Sequence, residues 1–237
     1  MPFGVSLAPE EFECKLHEKL DDLPSVVLLR DDILVMGYGE TQEKAIEDND
    51  SNLIKLLQRV RETNLKLNKS KIKLRQPEVK FMGHVITNKG LKPDPDKVKA
   101  VDEMPRPTCK KELATLLGFM NYLSKFLPRL VEVTRPICAL TAKDAPFLWS
   151  PQHESAFTSI KQLVADHPVL KFYNPGAEVT LQCDAREYSL GATLLQGAQP
   201  VAFTSRTLSG TEWNYAQLEK ECLAIVFGCQ HFDQCLA

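Results

Sequence analysis

Apolar residues recur at helical spacing at Phe12, Leu16 and Leu20, behind Pro9 and the acidic pair Glu10 and Glu11. Proline is harmless in a first helical turn and carboxylates suit its positive end, so a helix is predicted over Ala8–Leu23. Two apolar runs follow, SVVLL and ILVMG, separated only by Arg30, Asp31 and Asp32, which is the pattern of a β-hairpin. After Thr41 the longer period returns, with Ile46, Leu53, Leu57 and Val60 on the buried stripe of a long amphipathic helix. In LKLNKSKIKLRQPEVKF the cations Lys69, Lys71, Lys73 and Arg75 alternate with Ile72 and Leu74, a strand rhythm with one cationic face. The segment KFMGHVITNKGL reads as a second hairpin, turning near Asn88 to Gly90.

Pro93, Pro95, Pro105 and Pro107 punctuate the next stretch, which is helical in pattern, with Leu113, Leu117, Met120 and Leu123 spaced to pack on a neighbour. Beyond His167-Pro168 and Asn174-Pro175-Gly176 the period shortens again. Val179, Leu181 and Cys183 alternate with Thr180, Gln182 and Asp184, predicting a half-buried strand that ends in a carboxylate. LGATLLQ and PVAFTSRTL predict two more antiparallel strands. Ser209 and Glu212 have capping-box spacing, expected to open a helix with Leu218, Cys222, Ile225, Cys229 and Phe232 on one face.

The 237 residues suffice for two small domains, and 43% hydrophobic with 25% charged residues is ordinary globular composition. No apolar run approaches the length of a bilayer span, and the amino-terminal residues have neither the basic nor the apolar region of a secretion signal. Seven cysteines without a CxxC pair speak against a disulfide framework and against a zinc site. The chain therefore reads as intracellular and reduced, with Cys222 and Cys229 as small core residues.

A net charge of −2 conceals an asymmetry. From Met1 to Leu65 fourteen acids face seven bases, whereas from Lys66 to Lys99 ten bases face three acids. The basic block suits a phosphate backbone, but lysines on an edge strand also discourage strand pairing, and charge alone leaves both readings open.

Two carboxylate sets could carry chemistry. Asp31 and Asp32 sit at a hairpin tip, where close carboxylates can hold the paired divalent ions of phosphoryl transfer and where Asp-Asp is also a common turn former. Asp184 ends a strand, and Glu221 lies beside a helix's apolar stripe, so it could point at the sheet. Acids on helices are also commonplace at surfaces.

Taken as ordered blocks, the residues resemble a known family. MPFGVSLAPEEF is similar to the MPFGLxNAPxxFQ block of gypsy-type LTR retrotransposon reverse transcriptases, and LLRDDILV resembles their YxDD hairpin. NLKLNKSKIKLRQPEVKFMGHVITNKGLKPDPDKVKAV is similar to the palm strands and primer grip, and LLGFMNYLSKFLPRL to the thumb signature FLGxxNYYRKFIP. FLWSPQHESAFTSIKQLVADHPVLKFY resembles the connecting segment before RNase H. VTLQCDAREYSLGATLLQ and YAQLEKECLAIV resemble the first strand and first helix of the tethered RNase H.

The resemblance implies an α/β (α+β) chain: a partial reverse transcriptase palm at 1–100, a helical thumb at 101–147, then a connection and partial RNase H-like fold at 148–237. It assigns Asp31, Asp32, Asp184 and Glu221 to catalytic metal sites for magnesium, and Phe81, Met82 and Gly83 to the primer grip, with nucleic acid as partner. The sequence departs from the family at Leu7 (often Asn), Leu29 (usually aromatic), Arg30 (variable) and Arg186 (commonly Ser). The FTKLDLKSGYHQI-like and VETDHKPL-like blocks, which carry further acids, are not in the sequence. The resemblance therefore implies a fragment truncated at both ends, inactive alone, or a non-enzymatic nucleic-acid-binding remnant.

Overall fold

Helix α1 covers Ala8–Leu20 and buries Leu16 and Leu20, while Phe12 is exposed, so the predicted stripe narrows to its last turns. The computed structural model describes residues 8–142 and 146–236, so the MPFGVSL part of the first block, Leu7 included, lies outside the described residues. The chain divides into two units at Pro77/Glu78.

In the first unit, β1 (Val26–Leu29) and β2 (Asp32–Val35) form the expected antiparallel hairpin, with Leu29 opposite Asp32 and Val26 opposite Val35. Helix α2 (Gln42–Glu62) starts where the sequence indicates, the Thr41 hydroxyl accepting the Lys44 N–H at 3.3 Å. Its buried face is rotated from the predicted one. Leu56 and Asn52 are buried with Val60, while Leu57 is exposed. Two polar anchors set this rotation: Asn49 Nδ2 donates to the Val35 carbonyl at 3.0 Å and Asn52 Nδ2 to the Met36 carbonyl at 3.1 Å. Leu16, Leu20, Leu28, Leu56 and Val60 make the core of this unit. Arg59 ties α2 to the end of α1 through both oxygens of Asp22, at 2.7 and 2.9 Å.

The basic segment is not the predicted strand. Lys69–Lys71 form a single 3-10 turn, whose N–H at Ser70 is capped by the Asn68 side chain at 3.0 Å. Ile72 and Leu74 are exposed, and Arg75 adopts a left-handed φ of 50°, so the chain leaves the extended region. An alternating pattern makes a strand only where a partner strand takes up its hydrogen bonds, and Asn68 supplies a local alternative.

The second unit opens with a three-stranded meander, β3 (Glu78–Phe81), β4 (His84–Thr87) and β5 (Gly90–Pro93). Met82 and Gly83 form the first turn, both at positive φ, and Asn88-Lys89 form the second. Gly90 is required: its φ is 139°, and a Cβ there would strike the Leu170 carbonyl oxygen. Helices α3 (Pro95–Asp102), α4 (Lys110–Leu123), α5 (Leu130–Cys138) and α6 (Pro151–Ala165) follow. Leu113, Leu116, Met120, Leu123, Phe126, Ile137, Phe157 and Ile160 form their shared core.

A sheet in the order β6 (Thr180–Ala185), β7 (Ser189–Gln196), β8 (Gln199–Thr207) is antiparallel throughout, as its alternation predicts. Helix α7 (Gln217–His231) packs on it, followed by α8 (Asp233–Leu236). Here two expectations are corrected. The Ser209–Glu212 box closes only a 3-10 turn at Glu212–Asn214, and α7 begins later, where Glu219 accepts the Ala216 N–H at 2.8 Å. The buried face carries Lys220, Ala224 and Gly228, while Leu218, Ile225, Cys222 and Cys229 are exposed, so these cysteines are not core residues. Small residues win this face because they allow close approach: a Cβ on Gly228 would stand 3.0 Å from Cys183 Sγ and from the Ala192 Cβ.

Candidate carboxylate and nucleic-acid sites

Asp31 falls in the β1–β2 turn and Asp32 on the first position of β2, both exposed. Arg30, at φ 53°, donates its N–H to Glu13 Oε1 at 3.2 Å, so α1 holds the turn from outside. Hairpin geometry thus delivers the two carboxylates to the tip, as a short turn must.

Lys69, Lys71 and Lys73 are exposed and form no ion pair among the described residues, whereas Arg75 grips Asp50 through two nitrogens. The cationic set is therefore three lysines on an irregular segment rather than four residues on one strand face. In the second unit Phe81 is buried, while the Met82–Gly83 turn projects outward with Met82 57% exposed. Helix α4 fixes that turn: the Tyr122 hydroxyl donates to the Gly83 carbonyl, and the His84 ring stacks on Tyr122 at 5.5 Å. Burial, with the Lys125 charge nearby, pushes the His84 imidazole down to about 4, so it is neutral at physiological pH.

Asp184 and Glu221 are brought to the same end of the β6–α7 layer. Asp184 pairs in register with Gly191 of β7. The Gln217 amide donates both to the Ala185 carbonyl, next to Asp184, at 2.8 Å and to Glu221 Oε1 at 2.9 Å. The Asp184 carboxylate is engaged by Arg186, whose Nε lies 3.1 Å from Oδ2 and 3.0 Å from Glu132 Oε1 on α5. Both carboxylates hold the Arg186 guanidinium above its ordinary value, Asp184 the more strongly. A cavity of about 370 Å³ opens beside them, lined by Pro128, Arg129, Glu132, Asp184, Arg186 and Phe203 among others.

These residues do not fit a divalent ion as arranged. Among the described residues no three of His, Cys, Asp and Glu gather where one ion could be held, and the carboxylate of Asp184 already has a cation on it. Glu132, Gln217 and Tyr122 are the participants that sequence reasoning missed. Gln217 lies in the YAQLEKE block and could have been found from its spacing to Glu221, but Glu132 and Tyr122 have no local signal.

Fold and site together liken the chain to retroelement polyproteins that carry an RNase H-like domain. Residues 149–237 match the family described as "RNase H-like domain found in reverse transcriptase". The chain is 32% identical over 240 residues to the Transposon Tf2-3 and Tf2-4 polyproteins of Schizosaccharomyces pombe, covering 98% of this chain and 18% of each polyprotein. It therefore spans less than a fifth of those relatives' length. In structure it resembles the foamy viral protease-reverse transcriptase in complex with dsDNA, with a TM-score of 0.87 and 22% identity, over 100% of this chain and 50% of that one. The same viral protein in complex with RNA/DNA hybrid gives a TM-score of 0.82 over 98% of this chain and 31% of that one, also at 22% identity. At those identities the likeness is one of fold, and it agrees with the mixed α/β architecture expected from the sequence. No helix among the described residues is long and apolar enough to cross a membrane.

Proposed function

We propose that the chain is the part of a gypsy-type LTR retroelement polyprotein that comprises the later palm (1–100), the thumb (101–147) and the connection with an RNase H-like domain (148–237), and that it binds RNA–DNA hybrids and primer–template duplexes inside the cell without turning them over by itself. The parental activities are RNA-directed DNA polymerisation and cleavage of RNA in hybrids, for which magnesium is the family's metal. The observation that carries the reading is the match of residues 149–237 to the RNase H-like family, a stretch in which Asp184 lies near the end of β6 and Glu221 stands on α7. Asp31 and Asp32 are the corresponding polymerase residues, and the exposed lysines and the Met82–Gly83 turn are surfaces for the nucleic-acid backbone.

What argues against turnover is the state of the carboxylates. In-line displacement needs two divalent ions held by several acids, and among the described residues no three of His, Cys, Asp and Glu gather where an ion could be held. The test incubates purified chain with a labelled RNA–DNA hybrid, and separately with a primed RNA template and nucleotides, both with magnesium. The expected result is binding without product. Hybrid cleavage lost in Asp184→Asn, or primer extension lost in Asp31→Asn, would overturn it.

A further inference from the structure

Asp184, which the reading above places among the hybrid-cleaving carboxylates, already carries a cation that belongs to the protein. The Arg186 Nε sits between Asp184 Oδ2 at 3.1 Å and Glu132 Oε1 at 3.0 Å, so one guanidinium joins the end of β6 to α5. A second link lies one helical turn further along α5. The guanidinium carbon of Arg135 stands 3.3 Å from the centre of the Tyr188 ring, and Tyr188 meets Trp213 edge-on at 5.9 Å. Both links bind α5 to the β6–β7 connection, and the cavity beside them leaves Asp184 open to solvent.

We propose that Arg186 is an internal counter-ion, occupying at Asp184 the position a divalent cation would take and, through Glu132, clamping α5 over the β6–β7 connection. The two roles are coupled. The guanidinium holds Asp184 Oδ2, so a divalent ion that takes that oxygen must displace Arg186. One exposed ion pair would be a weak guard, easily displaced. Here the guanidinium is held by two carboxylates of opposite elements, and releasing it from Asp184 also disturbs how α5 is held. The inference rests on the assignment of Asp184 as a site carboxylate, and the clamp is measurable separately from that assignment.

The experiment uses the full chain and Mn²⁺ as probe. Paramagnetic broadening of amide resonances around Asp184 reports the ion, and amide hydrogen exchange in α5 reports the clamp. Arg186→Ser is expected to gain Mn²⁺-dependent broadening at Asp184 with an apparent affinity about tenfold or more above wild type, and to exchange faster in α5. Asp184→Asn is expected to speed α5 exchange without gaining the ion. Equal Mn²⁺ affinity in wild type and Arg186→Ser overturns the counter-ion. Unchanged α5 exchange overturns the clamp. Faster α5 exchange with no Mn²⁺ near Asp184 in any variant overturns the counter-ion together with the assignment of Asp184, and leaves the clamp standing. Should Arg186→Ser fail to fold, Arg186→Lys keeps the charge and loses the planar fork. It is expected to fall between the two, and a Lys variant identical to wild type in both readouts counts against the proposal.

Discussion

Arg206 of β8 and Glu212 form a fork-to-fork pair, with Nη1 2.8 Å from Oε2 and Nη2 2.9 Å from Oε1. The same Oε2 accepts the Ser209 N–H at 2.7 Å, and the guanidinium lies 5.4 Å from the Phe227 ring of α7. One arginine thus ties the last strand, the turn after it and the helix above. The Arg206 guanidinium first, then the Ser209 N–H, hold the Glu212 carboxyl down to about 2 from its ordinary 4.5. Because the folded value is depressed, the stabilisation is complete above 4.5 and is lost as the pH falls from there through about 2. Glu212→Gln is expected to lower the melting temperature at neutral pH, by a free energy on the order of 1 kcal/mol, and to flatten the loss of stability across that acid window. Thermal denaturation of both proteins from pH 6 to 2 checks it, and parallel curves would dismiss the pair.

His84 supplies a second, higher window. Its ring lies between Tyr122 and Phe126, and Nδ1 is buried without a hydrogen-bond partner among the described residues. With the folded value lowered from 6.5 to about 4, chiefly by burial, stability is complete above 6.5 and declines as the pH falls through about 4. His84→Phe is expected to remove this decline while leaving the Glu212 window intact. Denaturant titrations at pH 7, 5.5 and 4.5 read it, and an unchanged dependence in His84→Phe would refute the burial argument.

The lysines of the basic segment should bind phosphate through counterion release. Three contacts give a log-log salt slope of about −2 to −3, and Lys69→Ala with Lys71→Ala should flatten it by about 1.4 to 1.8. Arg75 is already neutralised by Asp50, so Arg75→Ala is expected to leave the slope unchanged. Fluorescence anisotropy of a primer–template duplex at several salt concentrations decides. A slope that changes with Arg75 and not with the lysines would mean the Asp50 pair opens on binding.

The rotated face of α7 makes a prediction about stability. Leu218 is 76% exposed and Leu190 fully buried. Leu218→Ala should stay within about 0.5 kcal/mol of wild type, whereas Leu190→Ala should cost about 2–5 kcal/mol through lost burial and a cavity. Urea unfolding of each variant is the measurement, and a large cost at Leu218 would restore the face read from periodicity.

What the sequence determined by itself is what local physics controls. Thr41 caps α2 because its hydroxyl meets an N–H three residues away, and the β6 alternation sets its half-buried register because side chains on a strand must alternate. The hairpin tip bearing Asp31 and Asp32, and the short step from Asp184 to Arg186, were legible for the same reason. Tertiary structure decided the rest. The alternation at Lys69 to Arg75 could become a strand only with a partner, and without one Asn68 capped a 3-10 turn instead. The α7 stripe read from periodicity, Phe232 apart, lost the sheet to Ala224 and Gly228, because close packing rewards small side chains where helix and sheet backbones meet. Arg186 reads in the sequence as a departure from the family pattern. Only the fold, by carrying Glu132 of α5 to within 3.0 Å of it, places its charge between two carboxylates that lie far apart along the chain.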